Sequence, residues 1–420
     1  MARSEAPRRV AITGIGLITA VGNDVASNWE ALLSGVSGAA TITSFDPADL
    51  EVRFACEVKD FDPTRYMDRK EVKRTDRFTQ FALSATSQAM SMAGFEDSSP
   101  DVEADRFGVV TGSGIGGIGT LEDQHRVMLE KGPARVSPFF VPMFIADIAP
   151  GLISMKYGAK GPNYTTVSAC ASSAHAVGNS FRLIRDGVAD VMITGGSEST
   201  VTRLTMAGFA SMRALSTRNE APGAASRPFD GQRDGFVLGE GCGMLVLEDA
   251  ELAEARGAKI LAEIVGFGQT ADAHHITAPA PGGDGARRAM RLALEDAGLQ
   301  PEDVDYINAH GTSTPLNDRS ETQAIKKLLG EHAHEIIVGS TKSMTGHTLG
   351  AAGGVESVIC ALVIAAGKIP PTINFSEKDP DCDLDYAHNR VVERTVEIAL
   401  TNSFGFGGHN VCLAIRRWEG

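Results

Sequence analysis

Cys170 lies where a strand-like sequence pattern gives way to a helical one. Thr165, Thr166 and Val167 before it favour β-structure, and after it apolar residues recur at helical spacing. The pattern predicts a sulfur at a helix N-terminus, where the helix dipole and unpaired backbone N–H groups favour negative charge. Because such a position lowers a thiol pKa, Cys170 is predicted to be a nucleophile with a lowered pKa. A buried, inert cysteine is the alternative.

Two histidines far downstream could act with this thiol. His310 follows a predicted strand in a loop of small and hydroxyl-bearing residues, and His347 lies at a turn before an almost wholly apolar helix. Glu356 is the one charged residue inside that helix, where an unpaired carboxylate would be costly. Lys342 is its expected partner. The pair either has a purely structural role or orients the histidines and sets their protonation.

The segment 402–410 is rich in glycine and carries Phe404 and Phe406. It is either a hairpin turn or a mobile gate that carries an oxyanion-hole amide. The G-x-G-x-x-G stretch 112–117 lacks the acidic residue that dinucleotide binding requires further along the chain. No histidine pair has partners at metal spacing. The sequence therefore predicts no metal and no other cofactor.

The chain repeats its own order of strand and loop patterns. Four stretches have counterparts in the same order: 9–19 with 259–269, 105–112 with 303–311, 164–175 with 336–347, and 243–248 with 411–415. Strands alternating with helices predict parallel sheets covered by helices, with sites at the carboxyl ends of the strands. The sequence thus predicts two similar halves, 1–255 and 256–420, in which Cys170 faces His310 and His347.

Composition and charge narrow the class of protein. The 420 residues, 43% of them hydrophobic, can bury a large core, and a net charge of −14 argues against nucleic-acid binding. The six cysteines include no C-x-x-C pair, which favours a reduced, cytoplasmic protein. The polar N-terminus lacks the apolar core of a signal peptide, and no apolar run is long enough to predict a membrane span.

Six residues together resemble the active-site set of the β-ketoacyl-acyl-carrier-protein synthases: Cys170, His310, Lys342, His347, Glu356 and Phe404. The likeness covers 10–415 and includes the stretches 227–236 and 370–374. It is closest to the elongating condensing enzymes of type II fatty acid synthesis. The resemblance implies an α/β protein with the thiolase fold, a five-layer αβαβα sandwich made of two duplicated halves, and a homodimer.

The resemblance also implies a two-stage condensation. Cys170 would take an acyl group from an acyl carrier protein, with the amides of Cys170 and Phe404 holding the oxyanion. Malonyl-carrier protein would then lose CO₂, and His310 and His347 would stabilise the enolate before it attacks the acyl group. The other matched residues are Lys342 and Glu356, which support the histidines, and the substrate-binding residues Thr277, Thr312, Thr314 and Phe406.

The carrier protein implied by the resemblance is strongly acidic. A chain of net charge −14 needs a local basic surface to bind such a partner. The predicted docking residues are Lys70, Lys73, Arg74, Lys131 and Arg213. An ordinary solvated helix face is the alternative explanation of these charges.

Three other functions are weighed against this one. A thiolase would need a second active cysteine in the C-terminal half, and neither Cys382 nor Cys412 fits. Condensing enzymes that use starter units carry an Asn where this chain has His347. A non-catalytic subunit that shapes chain length would lack the nucleophile. Ser168 and His409 stand where the family often has threonine, so acyl preference stays open, as does the choice between a fatty acid and a polyketide pathway.

Overall fold

The computed structural model describes residues 7–95 and 100–420. The strands are β1 Val10–Ile18, β2 Ala40–Thr41, β3 Phe54–Ala55, β4 Phe107–Gly112, β5 Asn163–Thr166, β6 Val191–Glu198, β7 Gly241–Asp249, β8 Ala262–Ala271, β9 Tyr306–Asn308, β10 Ile337–Gly339, β11 Lys368–Ile369, β12 Val392–Glu393, β13 Ile398–Gly405 and β14 His409–Arg416. The α-helices are α1 Val25–Leu33, α2 Arg69–Val72, α3 Arg77–Met92, α4 Ile118–Lys131, α5 Phe140–Phe144, α6 Ile148–Tyr157, α7 Ser172–Arg185, α8 Arg203–Ser211, α9 Ala250–Ala255, α10 Asp284–Ala297, α11 Pro315–Leu329, α12 Lys342–Thr345 and α13 Ala352–Ala366.

Hydrogen bonds join ten strands in the order β10-β9-β13-β14-β8-β1-β7-β6-β4-β5, in which the five-stranded sheets of the two halves are linked where β1 pairs with β8. Read from either end toward the middle, the two sides have equivalent orders, β5-β4-β6-β7-β1 and β10-β9-β13-β14-β8. On each side three neighbouring strands pair in parallel, and each of the other two pairs antiparallel with the strand before it in the order. The four repeated stretches of the sequence occupy matching places as β1/β8, β4/β9, β5/β10 and β7/β14. The prediction of two duplicated halves is confirmed.

The strands are covered on both faces, which explains their composition. Every residue of β1, β4, β6 and β7 is buried, so their sequences are apolar runs with small residues and do not alternate with polar ones. Helices α7 and α13 pack against each other and against strands of both sides. Helix α3 covers β1 and β7 from outside, and α10 covers β8 and β14. The layers are therefore α, β, α, β and α, as predicted.

The two central helices approach each other closely because their contact residues are small. A Cβ atom on Gly353 would lie 2.6 Å from the Cβ of Ala174. The segment Leu349–Ala366 has a mean hydropathy of 2.0 and is long enough to cross a membrane, but 83% of it is buried inside the protein. Its apolar sequence is that of a core helix with a sheet on either side.

The boundary at residue 255 stays a prediction. Strand β7 ends at Asp249, α9 follows and packs against β1 and β7, and β8 begins at Ala262. The halves also touch directly, because β1 pairs with β8 from Val10↔Ile264 to Ile12↔Ala262.

Candidate active site

Cys170 lies in a tight turn between β5 and α7. Ala169 before it has φ 50°, an unusual conformation for a residue with a side chain. The Ser172 hydroxyl holds the turn, because it donates to the Ala169 carbonyl at 2.7 Å and accepts from the Ser168 amide at 2.9 Å. The thiol thus precedes the first turn of α7, and Cys170 is 7% exposed.

The structure brings the cysteine and both histidines together. His347 Nε2 lies 3.1 Å from Cys170 Sγ. One ligand atom from each of Cys170, His310 and His347 lies within 4.8 Å of the others. The two imidazole rings meet edge to face with centroids 5.2 Å apart, and both histidines are 3% exposed. A substrate carbonyl that reaches the sulfur therefore also reaches both imidazoles.

The predicted lowering of the thiol pKa is wrong. Burial raises the pKa of Cys170 to about 12, although the Lys342 ammonium and the Phe406 amide act to lower it. Removing the sulfur from water disfavours the thiolate more than the helix N-terminus favours it. The resting nucleophile is a neutral thiol that needs a proton acceptor at the moment of attack.

Both imidazoles are neutral at physiological pH. Burial is the larger cause and the positive charge of Lys342 the second, and together they hold the pKa of His310 and of His347 well below the usual value. Neutral imidazole carries one donor and one acceptor. Each ring can therefore accept a proton from a thiol or donate an N–H to an oxyanion.

Lys342 and Glu356 form the buried ion pair that the sequence predicted, with Lys342 Nζ donating to Glu356 Oε1. Their side chains are 3% and 2% exposed. Burial raises the pKa of Glu356, and Lys342 opposes that rise. The ammonium also acts on the pKa values of His310, His347 and Cys170, so its positive charge is felt by all three reacting groups.

Glu321 supports His310, and the sequence reading did not identify it. Its carboxylate accepts the amides of His310 and Gly311, each at 2.8 Å, and the Asn402 side chain at 3.0 Å. The sequence of α11 contains a signal for this role. Ala324 and Ile325 lie on the buried face of the helix, and the Glu321 carboxylate lies on the same face. A charge on the buried stripe of an amphipathic helix indicates a positioning role.

The glycine-rich segment lies against the nucleophile. The Phe406 amide acts to lower the pKa of the Cys170 thiol. Phe404 places its ring 5.6 Å from that of His310. A Cβ on Gly405 would lie 2.7 Å from the Ser168 carbonyl oxygen, so only glycine fits between the segment and the Cys170 turn.

One cavity of about 610 Å³ is lined by Cys170, His310, His347, Glu321 and Phe404. The predicted substrate-binding residues Thr277, Thr312, Thr314 and Phe406 all line it. The Thr312 and Thr314 hydroxyls are hydrogen-bonded at 2.9 Å. Apolar side chains line the cavity too, namely Ile115, Phe209, Phe236 and Leu349. Such a lining suits a chain with both amide and alkyl parts.

Among the described residues, Cys170 is the only cysteine that lines the cavity. Cys382 and Cys412 are buried in the hydrophobic core of the second half. A thiolase, which needs a second active cysteine, is therefore disfavoured. Ser168 and His409 do not line the cavity either, and the Ser168 hydroxyl is hydrogen-bonded to His175 Nδ1 at 2.7 Å.

The predicted docking residues are all exposed, but the structure separates them by position. Arg213 lines the cavity, with φ 53°. Lys70, Lys73 and Arg74 lie in and just after α2, and Lys131 ends α4; none of these four lines the cavity. The Arg74 guanidinium lies over the Phe139 ring at 4.5 Å. A docking role for the five stays a prediction.

Comparisons with known proteins agree with this site. Residues 7–253 match the family model "Beta-ketoacyl synthase, N-terminal domain" and residues 261–376 match "Beta-ketoacyl synthase, C-terminal domain". The "3-oxoacyl-[acyl-carrier-protein] synthase 2" of Synechocystis sp. is 55% identical over 98% of this chain and 99% of its own.

Solved structures give the same result. "The ishigamide ketosynthase/chain length factor" superposes with a TM-score of 0.92 and 37% identity over 99% of this chain and 100% of its own. A type II PKS acyl-carrier protein in complex with its ketosynthase bound to the hexaketide has a TM-score of 0.89 and 35% identity over 98% of this chain and 100% of its own.

Proposed function

The chain belongs to the beta-ketoacyl synthase family, and we propose on this basis that it is a 3-oxoacyl-[acyl-carrier-protein] synthase of type 2. It condenses malonyl-carrier protein with an acyl group held on Cys170 and so lengthens the acyl chain by two carbons. The observation that carries the proposal is the 3.1 Å contact of His347 Nε2 with the Cys170 sulfur, with His310 beside both.

The first stage is acyl transfer to the sulfur. As Sγ of Cys170 attacks the thioester carbonyl, its proton passes to Nε2 of His347. The carbon–sulfur bond to the carrier's pantetheine breaks, and the leaving thiolate takes that proton back. The carbonyl oxygen becomes negative in between. We propose the amides of Cys170 and Phe406 as the donors for it, because both act to lower the pKa of the thiol. The Phe404 amide stays a prediction.

The second stage forms the carbon–carbon bond. Malonyl thioester loses CO₂, and the electron pair of the broken bond becomes an enolate. Its oxygen accepts an N–H group from His310 and, once the neutral His347 ring carries its proton on Nε2 instead of Nδ1, an N–H group from His347. The enolate carbon attacks the acyl carbon on Cys170. The sulfur leaves and regains a proton from water. Burial, with Lys342 as the second cause, keeps the imidazoles neutral, and the Lys342 ammonium, paired with Glu356, supplies positive charge to the site.

One partner follows from these substrates. An acyl carrier protein presents both groups on phosphopantetheine, whose amides and hydroxyl suit the Thr277, Thr312 and Thr314 side of the cavity.

A second copy of this chain is the other partner. Strand β5 is at one edge of the sheet, with Tyr164 in the strand 40% exposed and Val167 just after it 63% exposed, so it offers an unpaired edge for a two-fold partner. A cytoplasmic location is part of the proposal, in keeping with six free cysteines.

Intact-mass analysis tests the proposal directly. Incubation with acyl carrier proteins of graded chain length adds one acyl mass to the protein, and peptide mapping places that mass on Cys170. The Cys170→Ala protein acquires none. An acyl group on another residue, or no acyl-enzyme with any chain length, contradicts the function proposed here.

Charge reversal at Lys70, Lys73 and Arg74 is expected to slow carrier-protein association. The carrier is acidic, so kcat/KM of the triple Glu variant should be lower than that of the wild type by about 10-fold or more at low salt. A higher salt concentration should reduce this difference between variant and wild type. The matched control is Lys259→Glu, an exposed lysine outside the cavity lining. Equal kcat/KM and equal salt dependence in the triple variant would remove these residues from the docking surface.

A further inference from the structure

Glu198, at the end of β6, is a carboxylate that the reaction sequence does not use. It is 0% exposed, and no basic side chain among the described residues pairs with it. Four hydrogen-bond donors, and not a cationic side chain, contact the carboxylate. Oε1 accepts the Ser113 hydroxyl and the Ile115 amide at 3.1 Å each, and Oε2 accepts the Gly114 amide at 2.6 Å and the Gly350 amide at 3.0 Å.

These donors belong to two segments that form walls of the cavity. Gly114 and Ile115 line it from the loop after β4, and Leu349, next to Gly350, lines it from the turn that follows His347. A Cβ on Gly350 would lie 2.1 Å from the Gly114 nitrogen and 2.5 Å from Glu198 Oε2. The two segments therefore meet at the carboxylate with no space between them.

A carboxylate at this position disfavours ionisation of the Cys170 thiol. Burial raises the pKa of Glu198 to about 7, and the backbone amides oppose that rise. The carboxylate also acts to raise the pKa of the Cys170 thiol. A buried acid without a countercharge is costly, so its benefit has to come from the donors it holds.

We propose that Glu198 is a positioning residue that sets the spacing between Ile115 and Leu349, and thereby the acyl chain lengths that Cys170 accepts. One carboxylate holds both walls, because its two oxygens reach donors on either segment. The inference rests on the proposed function, since it assigns those walls to the acyl chain.

Glu198→Gln tests it with the smallest change in shape. The amide NH₂ has to replace one of the two oxygens. If the NH₂ group takes the place of Oε1, only the Ile115 amide loses its acceptor, because the Ser113 hydroxyl can rotate and accept a hydrogen bond from the NH₂ group. In place of Oε2 it would leave the amides of Gly114 and Gly350 unpaired. We therefore expect glutamine to keep the Gly350 contact and to release Ile115.

The measurement is the rate of Cys170 acylation by carrier proteins of graded chain length. The ratio of rates between the preferred chain and a poorly accepted one is expected to change by about 10-fold in Glu198→Gln, the effect of one buried donor losing its acceptor. The matched control is Glu57→Gln. Glu57 is a buried carboxylate that accepts the amides of Thr43 and Ser44 outside the cavity. Its length profile should equal that of the wild type.

An unchanged profile in a folded Glu198→Gln protein overturns the proposal, and so does an equal loss at every chain length. If that variant does not fold, Ser113→Ala decides, because it removes one donor and leaves three. It is expected to shift the same ratio by about 3-fold, and no shift overturns the proposal. Failure of the proposed function is a separate result, in which the wild-type protein is acylated by no carrier protein.

Discussion

Replacing Cys170 with alanine is expected to lower the condensation rate by about 10⁴-fold or more, the scale of losing a covalent nucleophile. Without the sulfur no acyl group is held next to the enolate, so the carbon–carbon bond has no second partner. Malonyl decarboxylation should persist at a reduced rate, because the neutral imidazoles of His310 and His347 remain in place. The measurements are 3-oxoacyl product formation and CO₂ release from malonyl-carrier protein.

Cys382→Ala and Cys412→Ala are the controls for this result. Both cysteines are buried in the core of the second half and neither lines the cavity, so each variant should condense at close to the wild-type rate. Loss of condensation in either one would revive the thiolase alternative. Full condensing activity in Cys170→Ala would end the proposed mechanism.

The duplicated fold could be predicted because each repeated stretch is contiguous in the sequence. Each is a short apolar run that ends in small residues, so it can be recognised without the rest of the structure. The middle strand of each half, β6 and β13, was not among those stretches. In β6 the pair Gly195 and Gly196 interrupts the apolar run, which weakens a strand signal. The structure shows the reason, since a Cβ on Gly195 would lie 2.0 Å from the Gly243 carbonyl oxygen of the neighbouring strand. That requirement is visible only when both strands are in place.

The convergence of Cys170, His310 and His347 followed from the same duplication, because equivalent strand ends meet at one edge of the sheets. The sign of the thiol pKa shift did not follow. A helix N-terminus can be recognised in a sequence, but burial of the sulfur depends on walls contributed by distant segments such as the one around Leu349. The effect of the Phe406 amide on the thiol pKa likewise depends on how the 402–410 segment lies against the Cys170 turn.

His310→Ala and His347→Ala are each expected to lower malonyl decarboxylation by about 10²-fold or more, as for other lost oxyanion donors. The two variants should differ in the first stage. His347 Nε2 contacts the sulfur at 3.1 Å, so its loss also slows acylation of Cys170, whereas His310→Ala should be acylated at nearly the wild-type rate. Single-turnover acylation and CO₂ release separate the two roles.

The pH dependence gives an independent check on the same histidines. Their pKa values are held well below the ordinary value, so both rings stay neutral as pH rises through the range where an exposed histidine loses its proton. The histidines should therefore add no step to the pH dependence of decarboxylation by Cys170→Ala between about pH 6 and about pH 8. The carboxyls of Glu198 and Glu356, whose pKa values burial raises to about 7, are the groups near the site that titrate in this range. His334→Ala, an exposed histidine outside the cavity, is the control and should leave the rate unchanged. Near-normal decarboxylation in His310→Ala or His347→Ala would remove that residue from the enolate. A fall in rate with rising pH near 6.5 that disappears when one of these two histidines is replaced would show that an imidazolium, and not a neutral ring, is the donor.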